Sequence, residues 1–433
     1  MIAWATIAVL SQATAPVSVS PPTRMTPLER RASVSLALIY ALRMLGLFMV
    51  LPVFMIEARL YEGGTDPTAV GLAMGLYGLV QAALQIPFGL AADRWGRKRV
   101  IVSGLLLFAL GSLVAALATS ITGLAWGRAL QGGGAISAAV TALLADQTRD
   151  AVRTKGMALI GGSIGLMFAL SLVVGPLLSA WGGLAGIFWV TLGLALCGIA
   201  VVVWWTPHET YRPEDHPAST SVASTWHTLT SPELLRLDAG VFVLYAVQLA
   251  TWVAVPSLLV QAGVAPAQHG WVYLPAVLLS FVVMGATLFP LERRGHLRPL
   301  FLGSIGLVLL VQLGFFALSN STPGMVSMGL LLFVFFCGFN VLEASQPSLA
   351  SRLAPAAARG AALGVYNTLQ SLGIFAGGAV GGWVAKNQGA SGLFLGCAAL
   401  MGVWLVLAWG MRFALPSGTA AGATHHQTSP PQD

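Results

Sequence analysis

Residues Gly89–Ile101 read GLAADRWGRKRVI, one Asp and four basic residues inside a 433-residue chain in which only 9% of residues are charged. A second stretch, Glu292–Arg298, reads ERRGHLR and repeats the pattern of DRWGRKR at 93–99: an acid first, a glycine three residues on and a base at the end. Each lies between two long apolar runs. Charge concentrated in short loops between apolar runs is the mark of a chain whose main solvent is lipid. Two copies of one loop imply two related halves.

Composition agrees, with 56% hydrophobic residues, 50 glycines and a mean hydropathy of +0.80, values outside the range of soluble domains. The net charge of +7 does not point to nucleic acid, because the basic residues sit in loops between apolar runs. Cys197, Cys337 and Cys397 each fall inside such a run without paired or metal-ligand spacing, and read as packing residues.

Runs of about 20 apolar residues, the length that crosses a bilayer, predict twelve spans at 32–56, 69–91, 99–118, 121–144, 155–179, 184–205, 237–261, 270–291, 299–318, 323–350, 358–383 and 391–414. Eighteen of the 22 Lys and Arg residues fall in the tails, the even-numbered loops and their borders. The odd-numbered loops carry only Arg59 and Lys386, and Arg43 and Arg128 lie inside spans. By the positive-inside rule both termini are expected in the cytoplasm.

The hydrophilic segment 206–236 is rich in Pro, Ser and Thr and divides the spans six and six. It is expected to be a cytoplasmic linker between an N-terminal bundle at 32–205 and a C-terminal bundle at 237–415. The entries to the fifth and eleventh spans, TKGMALIG from Thr154 and ARGAALGV from Ala358, support the duplication. Residues 1–31 form an N-terminal tail that opens on the apolar MIAWATIAVL, too short to span and without a basic n-region; Met25 is the expected true start, with a signal peptide as the alternative. The tail 416–433 is expected to be disordered, its His425 and His426 solvated rather than metal-binding.

Four side chains stand where lipid or helix should be. Glu343 lies nine residues before Arg352, roughly 13 Å inside the membrane surface at 1.5 Å per residue. A carboxylate there costs at least about 2.5 kcal/mol on insertion scales, and a carboxyl held away from water favours its neutral form, the property of a reversible proton carrier. Asn340, Glu343 and Pro347 share one face of the tenth span. Arg43 sits in the first span, and Arg128 in the fourth with Gln131 at i+3; neither guanidinium is able to shed its charge, so each needs acceptors or a wet cavity. Gln248 and Trp252 form a polar stripe in the seventh span. The set occupies spans 1, 4, 7 and 10, the first of each three-span unit, as threefold-repeated units around a central cavity would produce. Each of these residues also has a plain structural reading as a clamp or interhelical glue.

GLAADRWGRKR resembles motif A of the major facilitator superfamily, and GRALQGGGA from Gly127 resembles its fourth-span motif B. The fifth-span antiporter motif is matched in part: Gly162, Ser171, Gly175 and Pro176 follow its spacing, with Ser171 where glycine is usual and the closing glycines displaced to Gly182 and Gly183. LRMLGLFMVLPV, GLYGLVQAALQIPFGL and GFNVLEASQPSLASRLAP are similar to YajR-type members of the drug:proton antiporter group. Members of that type carry a soluble domain after the twelfth span, and only about 20 residues follow it here, so regulation by such a domain is not carried over.

The resemblance implies an all-α membrane protein of the major facilitator fold, twelve helices in two pseudo-symmetric bundles. It implies a monomeric proton-coupled transporter of the inner (plasma) membrane that exports lipophilic or cationic small molecules by alternating access. A proton-coupled importer or facilitator of a sugar, amino acid or other metabolite is the alternative on the same fold. Asp93, Arg97 and Asp146 match the family's charge cluster, a latch in which Gly89 and Gly96 allow close approach and chain reversal. Glu343, Arg43 and Arg128 match its coupling residues, with either Arg expected to tune the Glu343 carboxyl, and Gln248, Trp252, Asn340 and Gln131 are the candidate cavity residues. No phosphate-binding loop, metal cluster or nucleophile–base arrangement is visible in the sequence, so neither an enzyme, an ATP-driven pump, a cofactor nor a metal is expected.

Overall fold

The computed structural model describes residues 24–208, 230–355 and 359–411, and the expectations for the apolar leader, the middle of the linker and the tail with its two histidines lie outside them. Among the described residues the chain is helical throughout, with one isolated bridge pairing Glu62 and Ser120. We label the helices α1 (Pro27–Phe48), α2 (Phe54–Glu57), α3 (Pro67–Trp95), α4 (Arg97–Ala116), α5 (Ile121–Gly132), α6 (Ser137–Gln147), α7 (Asp150–Ala200), α8 (Pro232–Gln261), α9 (His269–Arg293), α10 (Leu297–Ser319), α11 (Met325–Leu353) and α12 (Arg359–Trp409).

Nine helices among the described residues are long and apolar enough to cross a membrane. Two of these, α7 and α12, contain 51 residues each, about 75 Å of helix against a hydrocarbon core of about 30 Å. Each is two spans joined at a glycine with left-handed φ, Gly183 (φ 60°) and Gly389 (φ 71°). The expected fourth span is a correction of a different kind: it is not one helix but α5 and α6, interrupted at 133–136. Successive glycines weaken a helix by about 1 kcal/mol each, and here they also let backbones touch. A Cβ on Gly132 would lie 2.2 Å from the Tyr77 carbonyl oxygen, and one on Gly134 would lie 2.7 Å from that of Gly104. The first span is likewise shorter than the expected 32–56, ending at Phe48 before Pro52, whose missing N–H does not continue a helix. With these adjustments twelve spans are present.

The duplication is written in the backbone. Six glycines have positive φ, and they fall into three pairs at the same place in each half: Gly63 and Gly263 after the first and seventh spans, Gly96 and Gly295 after the second and eighth, Gly183 and Gly389 after the fifth and eleventh. In the first half α1 packs on α7, α3 on α5, and α4 on both α5 and α7. In the second, α8 and α10 pack on α12, and α9 and α10 on α11. The halves meet chiefly through α3 with α12 and α7 with α9.

Those meetings are confined to one end. Along α3 the stripe Gly71, Gly75, Gly78 touches α12 backbone, with Cβ positions 2.3 Å from Gly378 O, 2.7 Å from Phe375 O and 2.4 Å from Ser371 O. About three turns further along, Gly89 meets only Ala138 of its own half, and Gly360 and Gly364 at the start of α12 have nothing within 4 Å. The α7–α9 contact behaves the same way: Gly270 lies against Leu172 and Val173 and Gly165 against Phe281, whereas Gly161, Gly162 and Gly285 face open space. The halves are therefore closed at the end bearing Arg59 and Lys386 and parted at the end bearing the basic loops, called here the basic end.

An ion pair reinforces the closed end, with Lys386 Nζ 2.9 Å from Asp66 Oδ2. Asp66 also caps α3 by accepting from Thr68 N at 2.9 Å. The hydrogen bond from Lys386, helped by that cap, holds the Asp66 carboxyl below its ordinary value of 3.8. A depressed carboxyl contributes only while ionised, so the pair is complete above the ordinary value and is lost as pH falls through the depressed one. Lys386→Gln is expected to reduce closure at this end by no more than a few-fold, since exposed pairs are weak. The reduction should be unchanged between about pH 5 and 8, as read from distances between spin labels placed on the two halves. A loss that grows as pH rises through this range would contradict it.

Candidate functional site

In the first half, two helices deliver cations to one tyrosine. Arg43, 1% exposed, donates from Nη2 to the Tyr77 hydroxyl at 2.9 Å, with its guanidinium carbon 5.6 Å from the Phe108 ring centre. Arg128, 2% exposed, lies over the Tyr77 ring at 4.9 Å and donates from Nη1 to Gln131 Oε1 at 2.8 Å. The Gln131 amide in turn donates to Ser112 Oγ at 2.9 Å. Arg43 Nε and Nη1 and Arg128 Nε have no partner. The i, i+3 pairing of Arg128 and Gln131 was legible in the sequence; Tyr77, which joins the two guanidiniums, was not, since a tyrosine in an apolar span gives no signal of its own. Cation–π contact and one hydrogen bond partly replace water around each guanidinium.

In the second half, the tenth-span carboxyl is held by a different tyrosine. Tyr245 Oη donates to Glu343 Oε1 at 2.9 Å, and Tyr245 is buried, so the carboxylate turns into its own bundle. Among the described residues no ion pair joins Glu343 to Arg43 or Arg128. The expectation that an arginine tunes Glu343 directly is thus not met in this conformation, because the parted basic end keeps the two polar clusters in separate bundles. Asn340 shares the Glu343 face by spacing but is buried, donating to Ser280 Oγ of α9 at 2.8 Å. Gln131 is fully buried within the first bundle, and Gln248 is half-buried.

Between the clusters and the closed end runs a row of aromatic rings. Phe48 meets Phe168 edge-on at 5.2 Å, Phe168 crosses to Phe336 of the other half at 5.8 Å, and Trp252 follows at 6.5 Å from Phe336 and 5.2 Å from Tyr273. Phe336 lies seven residues before Glu343 in α11, about 10 Å toward the closed end. Trp252, expected to line a cavity, is 3% exposed and belongs to this plug.

At the basic end the motif A charges form a compact group. Arg97 Nε lies 2.5 Å from Asp146 Oδ2 and its Nη1 3.1 Å from Asp93 Oδ1. Gly96 takes φ 93° where the chain turns from α3 to α4, a conformation that suits glycine. Asp93 keeps 55% of its side chain exposed. In the second half Gly295 makes the same turn and Glu292 pairs with Arg352 at the end of α11, the position that Asp146 holds at the end of α6. The repeat conserves the contact between loop and span end and reverses its charges.

A model of the Major Facilitator Superfamily matches residues 36–378. The chain belongs to that superfamily. Its members are transporters, not enzymes, and this chain is a multi-pass membrane protein of that fold. It is 41% identical to the inner membrane transport protein YajR of Escherichia coli (strain K12) over 389 residues, 90% of this chain and 85% of that protein. Against the multidrug resistance protein MdtH of Aeromonas hydrophila the identity is 29% over 356 residues, 80% and 84% of the two chains. The crystal structure of a D-xylose-proton symporter superposes with a TM-score of 0.70 at 13% identity, covering 89% of this chain and 98% of the other, a likeness of fold alone.

Proposed function

We propose that the protein is a proton-coupled secondary transporter, an exporter of lipophilic or cationic small molecules that works by alternating access. One observation carries this reading: Glu343 lies about 10 Å from the aromatic plug on the side of the parted end, its carboxylate bonded to a tyrosine hydroxyl rather than to a cation. A carboxyl with no fixed counter-ion is stable in either protonation state as its surroundings change, which is what coupling requires. The name of one relative, a multidrug resistance protein, fits export. With the basic end in the cytoplasm, by the positive-inside rule, this conformation faces inward. Substrate enters from the cytoplasm, the halves rock about the plug, and a proton returns on Glu343.

The closed cytoplasmic state brings motif A into use. The exposed Asp93 then reaches the N-terminus of the eleventh span, where unpaired N–H groups favour an anion, with Arg97 and Asp146 holding it in position. Asp93→Asn is expected to lower transport about 10-fold, the scale of a 1.4 kcal/mol loss from one state, with normal membrane insertion and unchanged substrate binding. Full transport by this variant would reduce the loop to a topological anchor.

The direct test of the coupling reading is exchange in liposomes with Glu343→Gln. Substrates are found first with a resistance and dye-efflux panel, and direction is fixed by imposing pH gradients of each sign. Wild-type exchange of substrate against protons by the variant would overturn the assignment.

A further inference from the structure

Asp238, in the second turn of α8, lies at a span end, yet it is 4% exposed and its Oδ1 has no partner. The helix that faces it is set by close, parallel packing of α8 on α12. Cβ positions on Gly373 and Gly377 would lie 2.4 Å from Phe242 O and 2.3 Å from Ala246 O, and Gly381 abuts Ala250. One step of this register toward the basic end places Asp238 at the level of Leu369 and Tyr366. Tyr366 is buried and donates from its hydroxyl to Gln346 Oε1 at 3.4 Å, and that hydroxyl is near enough to feel the charge of both Glu343 and Asp238. Gln346 is fully buried, its Nε2 is unpartnered, and it lies three residues beyond Glu343 toward the basic end.

Toward the basic end from Tyr245 and Glu343 lie Gln346, Tyr366 and Asp238, with Asp238 two turns or about 10 Å below Tyr245 on α8. Buried polar atoms are normally satisfied, so two without partners in this group call for a function. The charged groups around Asp238 are occupied elsewhere. On its own helix Arg236 donates to Gly410 O at 3.1 Å, and on α11 Arg352 pairs with Glu292. From α12 the titratable neighbour is Tyr366, which also lies near Glu343 of α11.

We propose that Asp238 is a second proton carrier, which takes up through water the proton that Glu343 releases and delivers it to water at the basic end, with the Gln346–Tyr366 pair as the polar wall between the two acids. This rests on the proton-coupled reading above. The O–H bond of the Glu343 acid breaks, an O–H bond forms on the Asp238 carboxylate, and Asp238 then releases the proton to water; no electrons move. The turn of the Glu343 carboxylate toward buried Tyr245 explains why it needs a carrier despite the parted halves.

The test follows protons directly and needs no substrate. Full-length protein in lipid nanodiscs is subjected to a base jump while the carboxylic-acid C=O bands are followed by time-resolved infrared spectroscopy. The bands are assigned by their loss in Glu343→Gln and Asp238→Asn. The wild type is expected to show both, with Asp238 losing its proton no later than Glu343. In Asp238→Asn the deprotonation of Glu343 should slow about 100-fold, the low end of what a positioned acid–base group contributes, and Asp238→Glu should restore it. Deprotonation of Glu343 within about twofold of wild type in Asp238→Asn, or the absence of any Asp238 band, overturns the inference and leaves Glu343 coupling intact. Should Asp238→Asn fail to fold, the order of band loss in the wild type decides. Failure of the coupling reading itself is a separate result, seen as wild-type exchange of substrate against protons by Glu343→Gln.

Discussion

Glu343→Gln is expected to abolish transport driven by a pH gradient, by about 100-fold or more, the contribution typical of a positioned proton-transfer group. Exchange of substrate across liposomes without a gradient should stay within about twofold of wild type, because glutamine has the shape and neutrality of the protonated acid. Tyr245→Phe is expected to be milder. It removes the hydrogen bond from Tyr245 to the Glu343 carboxylate, 2.9 Å long, worth about 1 kcal/mol or somewhat more to a charged acceptor, and should change the pH profile before it changes the maximal rate. The readouts are the internal pH of the liposomes and the substrate flux, measured together. Loss of both coupled transport and gradient-free exchange in Glu343→Gln would assign the carboxylate to substrate binding instead of protons.

Gly378→Val is expected to drive the protein out of the conformation described here. Its Cβ would lie 2.5 Å from Gly71 O and 2.8 Å from Gly75 N. Both are backbone atoms of the opposite half, so no side chain swings away to make room, and the halves must separate at the closed end. Overpacking of this kind costs about 1 to 3 kcal/mol, a shift of about 5- to 150-fold between two states. In a background without native cysteines, a cysteine at Trp252 in the aromatic plug should become correspondingly more reactive to an impermeant maleimide added from the closed side. Gly364→Val, on the same helix in open space, is the control and should leave reactivity unchanged in this state. Equal reactivity of both variants would mean that the glycine stripe does not hold the closed end.

Much of the fold was legible because the bilayer tests residues one at a time. Each apolar run and each misplaced charge is visible in the chain itself, so the twelve spans and the isolation of Glu343, Arg43 and Arg128 could be read directly. The division of the fourth span into α5 and α6 could not, since its run is long enough for one continuous helix and the break depends on how closely Gly132 approaches Tyr77 in another helix. Asp238 was passed over for a related reason: its position near a span end reads as solvated, and only the packing of α12 and α11 against α8 buries it. The duplication stood between these cases. Two loop motifs hinted at it, and three pairs of positive-φ glycines make it a property of the backbone.

The partners of the buried polar groups belong wholly to tertiary structure. Nothing in the sequence selects Tyr77 as the group shared by Arg43 and Arg128, or Tyr245 as the donor to Glu343, because which side chains meet depends on the rotation, tilt and separation of helices far apart in the chain. The same holds for the state of the transporter. The DRWGRKR loop at 93–99 fixed by its charges which end is basic and by its glycine where the chain turns. That Asp93 stands exposed there, with the halves parted beside it and locked at the other end by a glycine stripe, was decided by backbone-to-backbone contact. A sequence specifies that such contacts are permitted, by placing glycine, and leaves their formation to whichever of two packings of the same helices is lower in free energy.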